Sequence, residues 1–202
     1  MPGTKALVVT SNGQSMKVNG YLERTLGELA QAGVEAVVFD QVEANPLRST
    51  VMAGATFARR NSCDFLVALG GGSVMNASKG IAAMATNRGD IWDYIAGGSG
   101  GGKALETDPL PLICITTTAG TGSEAINGRY YETNEKIGFG GDDRLFPTLS
   151  IVDPELMVTV PSNYTAYQGF DVLLQGIEVY ISKFANAMSD MLALTVIENV
   201  TK

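Results

Sequence analysis

Apolar positions along the chain follow two rhythms. Five short runs are continuous rather than alternating: ALVVT at 6–10, VEAVVFD at 34–40, DFLVALG at 64–70, LPLICIT at 110–116 and LSIVD at 149–153. They are rich in β-branched residues, and an unbroken apolar run of this length suits a strand covered on both faces. Between the first three runs, apolar residues return at helical spacing, as Tyr21, Leu22, Leu26 and Leu29 and again as Val51, Met52, Ala55 and Phe57. Strand and helix therefore alternate every ~30 residues, which predicts a parallel sheet with right-handed crossovers in a Rossmann-like α/β fold.

After Pro161 the rhythm changes. No further strand is read there, only two helices at about 163–182 and 187–200, with a polar break from Lys183 to Asn186. The chain divides into an α/β domain over 1–160 and a helical part over 161–202 that is too small to be a complete domain. Leu173, Ile177, Leu192, Leu194 and Ile197 on those helices are expected to stay partly exposed, a patch that favours a homo-oligomer. The stretch GGSGGGKALETDP at 97–109 reads as a flexible surface loop.

Composition narrows the class of partner. With 45% hydrophobic and 17% charged residues among 202, the chain has the make-up of an ordinary globular protein. A net charge of −7 and a pI near 4.6 argue against nucleic acid or an anionic membrane surface, since little would neutralise phosphates. No apolar run approaches the ~20 residues of a membrane span, and MPGTKALVVTS does not have the form of a signal peptide. These features predict a cytoplasmic protein that handles small molecules. Cys63 and Cys114 lie beside predicted strands without redox or zinc spacing, and read as core residues.

Two glycine-rich turns could carry chemistry. In VALGGGSVMNASKG, Gly70, Gly71 and Gly72 follow a buried strand and precede a helix-forming run. Free backbone N–H groups at such a helix start form an anion site suited to a pyrophosphate. From these residues alone a plain strand-to-helix turn is an equal reading, because neither the P-loop spacing nor GxGxxG is matched. The second turn, TTTAGTGSE at 116–124, also follows a strand. Loops at the carboxyl ends of parallel strands share one crevice, so both turns should face the same ligand, a nucleotide.

GGGSVMNASK, TTTAGTGSE, IVDPELM and VPSNYTAYQGFD, in that order and spacing, resemble the iron-containing (group III) alcohol dehydrogenases over nearly the whole chain. The resemblance implies a dinucleotide-binding α/β domain followed by an all-helical domain, here represented by its first helices. It also implies NAD or NADP as cofactor, a divalent metal, iron or zinc, and a small alcohol or aldehyde as substrate. In such enzymes the metal polarises the alcohol oxygen while hydride passes to the nicotinamide. By position, Gly71, Gly72 and Ser73 would hold the pyrophosphate, Thr117, Thr118 and Lys136 would line the cofactor cleft, and Asn45 in EANP matches a further cofactor position. Without the family, Lys136 reads as a solvated loop charge.

The chain also departs from that pattern. The family helix carries Asp-x-x-x-His, both residues binding metal; here Asp171 is followed by Gln175, and the chain contains no histidine. The two remaining family histidines would fall beyond Lys202, the family aspartate of GGGSxxD is Asn76, and the family's N-terminal strand and hairpin would precede residue 1. A carboxylate and an amide suit neither zinc nor iron, so no tight metal site is expected. Asp171 reads instead as a carboxylate at a helix N-terminus, near the first free amides.

After the first strand, where NAD-selective members carry an acid, the chain has Ser11, Asn12, Gly13 and Ser15 with Lys17 close behind. These groups can donate to a 2′-phosphate, so NADP is expected to bind at least as well as NAD, with Asp40 as a rival acid. Two functions stand: an alcohol dehydrogenase impaired by its incomplete metal site, and a nucleotide-binding module that has lost hydride transfer.

Overall fold

The computed structural model describes residues 2–126, 128–132, 135–139 and 142–202, with side chains described outside the two strands at 128–132 and 135–139. In chain order the elements are β1 (Lys5–Ser11), α1 (Ser15–Val18), α2 (Tyr21–Gln31), β2 (Glu35–Val42), α3 (Arg48–Arg60), β3 (Phe65–Gly70), α4 (Gly72–Thr86) and α5 (Ile91–Tyr94). There follow β4 (Leu112–Thr116), β5 (Gly128–Glu132), β6 (Glu135–Phe139), β7 (Leu149–Val152), α6 (Ser162–Tyr180) and α7 (Ala187–Val200).

Each of the five apolar runs forms a strand, and the five pair in the order β2-β1-β3-β4-β7, parallel throughout. Alternate residues of the buried strands feed two cores. Leu7, Val9, Leu66 and Ala68 face α3, α4 and α5, whereas Ala6, Val8, Phe65, Val67 and Leu69 face α1 and α2. Removing a side chain such as Leu66 or Phe65 from water contributes about 2 kcal/mol. Because the chain goes from β1 outward to β2 and then crosses to β3 on the other side of β1, the strand order reverses between β1 and β3. Loops leaving those two strands diverge there and open a crevice.

Two expectations need correction. β5 and β6 form an antiparallel hairpin in which Tyr131 opposes Lys136, so the backbone of Lys136 belongs to a strand rather than a loop. GRYYE and EKIGF lack the continuous apolar run of a sheet buried on both faces, and the reading by such runs passed over them. The loop at 97–109, read as flexible, is hydrogen-bonded to its surroundings at several points. Gly101 and Lys103 donate N–H bonds to the carbonyls of Trp92 and Asp93, Trp92 Nε1 reaches Ser99 Oγ at 3.0 Å, and Asn87 Oδ1 accepts from both Glu106 and Thr107. Its glycines serve close packing: a Cβ on Gly100 would lie 2.2 Å from the Ile95 carbonyl oxygen.

Helices α6 and α7 pack on each other where Gly176 meets Ala193, Val196 and Ile197. Asn186 caps α7, accepting from the N–H groups of Met188 and Ser189. Much apolar surface remains outside that contact. Ile177, Leu192 and Leu194 are exposed as expected, together with Phe170, Leu174 and Phe184, the last 93% exposed, while Leu173 and Ile197 are half-buried. Among the described residues no helix is long and apolar enough to cross a membrane. Cys63 and Cys114 are buried and unpaired, and burial raises both thiol pKa values, that of Cys114 to about 12.

Candidate cofactor cleft

The start of α4 is the centre of the site. Its N-cap, Gly71, supplies no side-chain bond, and the first intrahelical bond there runs from Met75 N–H to the Gly71 carbonyl. The N–H groups of Gly72, Ser73 and Val74 thus have no partner within the helix and stand at the positive end of its dipole.

The second glycine turn lies directly against this helix start. A Cβ on Gly71 would come 2.9 Å from Thr118 Oγ1, and one on Gly72 would come 2.4 Å from Thr121 Oγ1. Only residues without side chains allow that approach, so the two motifs found separately in the sequence are one interlocked unit. The Thr117 N–H bonds the Gly70 carbonyl at 3.1 Å and joins the strand ends; Thr121 Oγ1 and Ser123 Oγ are 2.9 Å apart.

Asn45 completes this side. It sits in a left-handed conformation at φ 58°, which asparagine tolerates better than most residues, and its N–H donates to Ser73 Oγ at 3.0 Å. The EANP turn is thereby tied to the first turn of α4. A cavity of about 390 Å³ opens between Asn45, Gly72, Ser73 and Thr121 on one wall and Asp171 and Gln175 of α6 on the other.

The residues expected at the site are therefore unequally placed. Asn45, Gly72, Ser73, Asp171 and Gln175 line one cavity, whereas Gly71 and Thr118 pack against each other outside its lining. Thr117 is buried, contributing its backbone. Ser11 and Ser15 lie outside that cavity, at the end of β1 and the start of α1, on the loop that leaves the strand reversal beside β3. The side chain of Lys136 is outside the described residues. Lys17 and Asp40 pair at 2.6 Å; that hydrogen bond holds the Asp40 carboxyl below the usual carboxylate range.

Asp171 is not a helix N-terminal carboxylate. It sits in the middle of α6, facing the cleft one turn before Gln175, while Pro161 precedes the helix start. Glu178 also lines the cavity and was missed in the sequence, although it falls one turn beyond Gln175 on the same face. Buried Lys79 on α4 was missed as well. Its ammonium donates to the carbonyls of Ser123 and Ile126, fixing the end of the threonine-rich turn over the helix. Its signal was a lone cation in a helix that is otherwise uncharged.

The donor set does not fit iron or zinc. Asp171 and Glu178 offer carboxylates, but Gln175 brings only an amide oxygen, a weak ligand, and its Nε2 donates to the Gly120 carbonyl at 3.2 Å; no imidazole or thiolate stands among the lining residues. Among the described residues no group of three or more histidine, cysteine, aspartate or glutamate side chains gathers to hold a metal ion.

Comparison with known proteins agrees with this geometry. The sequence profile of the iron-containing alcohol dehydrogenases matches residues 1–154. A 1,3-propanediol dehydrogenase of Klebsiella pneumoniae is 38% identical over 203 residues, 99% of this chain and 51% of that protein. Among solved structures, an archaeal halo-thermophilic alcohol dehydrogenase from a Red Sea brine pool superposes with a TM-score of 0.92 at 36% identity, covering 99% of this chain and 51% of that one. A sulfoacetaldehyde reductase of Bifidobacterium kashiwanohense in complex with NAD+ gives 0.85 at 35% identity, covering 98% and 51%. The chain spans about half the length of the relatives it matches.

Proposed function

We propose, on the premise that this chain belongs to the iron-containing alcohol dehydrogenase family, that it supplies the dinucleotide-binding half of an oxidoreductase acting on a small alcohol or aldehyde. The carrying observation is the interlocked pair of glycine turns over the uncapped start of α4, which presents amides to a pyrophosphate. In this reading Gly71, Gly72 and Ser73 hold the pyrophosphate, with Asn45, Thr117, Thr118 and Lys136 around it. Residues 1–160 form the dinucleotide domain and 161–202 belong to a helical domain. Hydride transfer is impaired in this chain, since Gln175 stands at the family's metal-binding histidine position. A second reading, a nucleotide-binding module without redox chemistry, is favoured by the commitment of Gln175 to Gly120. Fluorescence titration with NADH and NADPH, with metal content measured on the same sample, tests the proposal. Failure to bind either dinucleotide would overturn both readings; binding without a stoichiometric transition metal is the expected result.

NADPH is expected to bind at least as tightly as NADH. Ser11 stands at the end of β1 where a selective acid would repel a 2′-phosphate, and the rival acid, Asp40, is already paired with Lys17. Ser11→Asp should then produce a preference of about tenfold for NADH, ~1.4 kcal/mol. A tenfold NADH preference in the unmodified chain would reject the NADP assignment.

A second copy of the chain is the proposed partner of the exposed face of α6 and α7, where Phe170, Leu174, Leu192 and Leu194 are each more than half exposed. Light scattering should show concentration-dependent association, and a strict monomer at all concentrations would exclude it. Two buried, unpaired cysteines support a cytoplasmic setting.

A further inference from the structure

We propose that Gln168 and Gln175 form a two-point clamp that fixes the threonine-rich turn on α6, so that this chain ties its cleft together with amides where the family pattern has a metal ligand. Gln168 Oε1 accepts from the Ala119 N–H at 2.8 Å, and Gln175 Nε2 donates to the Gly120 carbonyl at 3.2 Å. The two glutamines are two helical turns apart on one face, with Asp171 between them. Helix and turn are in direct contact there: a Cβ on Gly120 would lie 3.4 Å from both Asp171 Oδ2 and Gln168 Cβ.

The bonds have opposite polarity. At 168 the side chain must accept, and at 175 it must donate. The opposite side of the same turn is held by Gly71 and Gly72 of α4. The turn is therefore gripped between two helices, and the cavity between them keeps its width without an ion bridging α6 to anything else. Gln175 acts as a positioning residue: its Nε2–H ties it to Gly120, while its Oε1 remains an acceptor.

The polarity gives a test that a general packing role would not satisfy. Gln168→Glu keeps an acceptor and should preserve slow hydrogen exchange at the Ala119 amide, whereas Gln168→Leu should speed it at least tenfold. The isosteric Gln175→Glu loses the donor and should loosen the turn, read as faster exchange over residues 117–123, with circular dichroism confirming that the fold persists. Dialysis of the unmodified chain against chelator should leave that exchange unchanged. Equal effects of glutamate at 168 and 175, or release of the turn by chelator, would overturn the clamp. The clamp concerns a cleft read as a dinucleotide site, but the exchange measurement needs no nucleotide. Failure to bind NADH or NADPH would thus count against the proposed function and leave the clamp standing or falling on its own data.

Discussion

Gly72→Ala is expected to weaken NADPH and NADH binding at least tenfold and to destabilise the fold by about 1–3 kcal/mol, the range for forcing a methyl into a packed contact. The new Cβ would lie 2.4 Å from Thr121 Oγ1 and 2.8 Å from Thr121 Cγ2. Thr121 cannot simply swing aside, because it is β-branched and its hydroxyl is already engaged with Ser123. The threonine-rich turn must move off α4, and the methyl also crowds the free amides. Helix propensity pulls the other way, since alanine exceeds glycine by about 1 kcal/mol in a helix interior, but less at a first turn. Gly27 isolates that opposing effect: it is exposed on α2 with nothing within 4 Å of its would-be Cβ. Gly27→Ala should stabilise by about 0.5–1 kcal/mol. Chemical denaturation and nucleotide titration of the two variants should therefore give opposite signs for stability and a binding defect in Gly72→Ala only. Normal nucleotide binding by Gly72→Ala would contradict the site.

Lys79→Ala is expected to lower stability by about 3 kcal/mol at pH 7. It removes about 2 kcal/mol of buried methylene surface and leaves the Ser123 and Ile126 carbonyls without their donor, at about 1–3 kcal/mol each. Relief of a buried charge offsets part of this. Burial lowers the Lys79 pKa from 10.5 to about 8, worth about 3 kcal/mol as an order of magnitude. The folded pKa lies below the unfolded one, so between pH 8 and pH 10.5 the unfolded chain holds more protons and stability rises with pH. Below pH 8 the cost of the buried ammonium is fully present. Urea denaturation across this window should show the gap between the wild-type chain and Lys79→Ala widening as pH rises. A constant gap would mean that the ammonium is not penalised in the folded state.

The sheet was legible because its strands are unbroken apolar runs, as Phe65–Gly70 is, but the expected cover on both faces fails at the edge strand β7, where Leu149, Ile151 and Val152 are exposed. The hairpin of β5 and β6 was not legible, since GRYYE and EKIGF contain no such run. At the site, GGGS and TTTAGTGSE could be found as separate motifs from composition and order. That Gly72 meets Thr121, and Gly71 meets Thr118, depends on strand order and on how far each turn projects, which no local pattern contains. Helical spacing alone placed Asp171 beside Gln175, but not which groups they touch. The opening of α6 at Ser162 puts Asp171 in mid-helix, and the facing turn gives Gln175 its carbonyl.

The parallel sheet has a kinetic consequence. No two neighbouring strands of β2-β1-β3-β4-β7 are joined by a tight turn. The ladder closest in sequence joins Lys5 to Glu35, while the most distant must bring Ala6 to Phe65. Loop-closure entropy for each pairing is spent before any ladder bond forms. The chain therefore has no local strand nucleus in this sheet, and strand pairing waits on the long loop closures. During that delay ALVVT and FLVALG are exposed as unpaired apolar strands. Refolding yield should accordingly depend on protein concentration far more steeply than native solubility does.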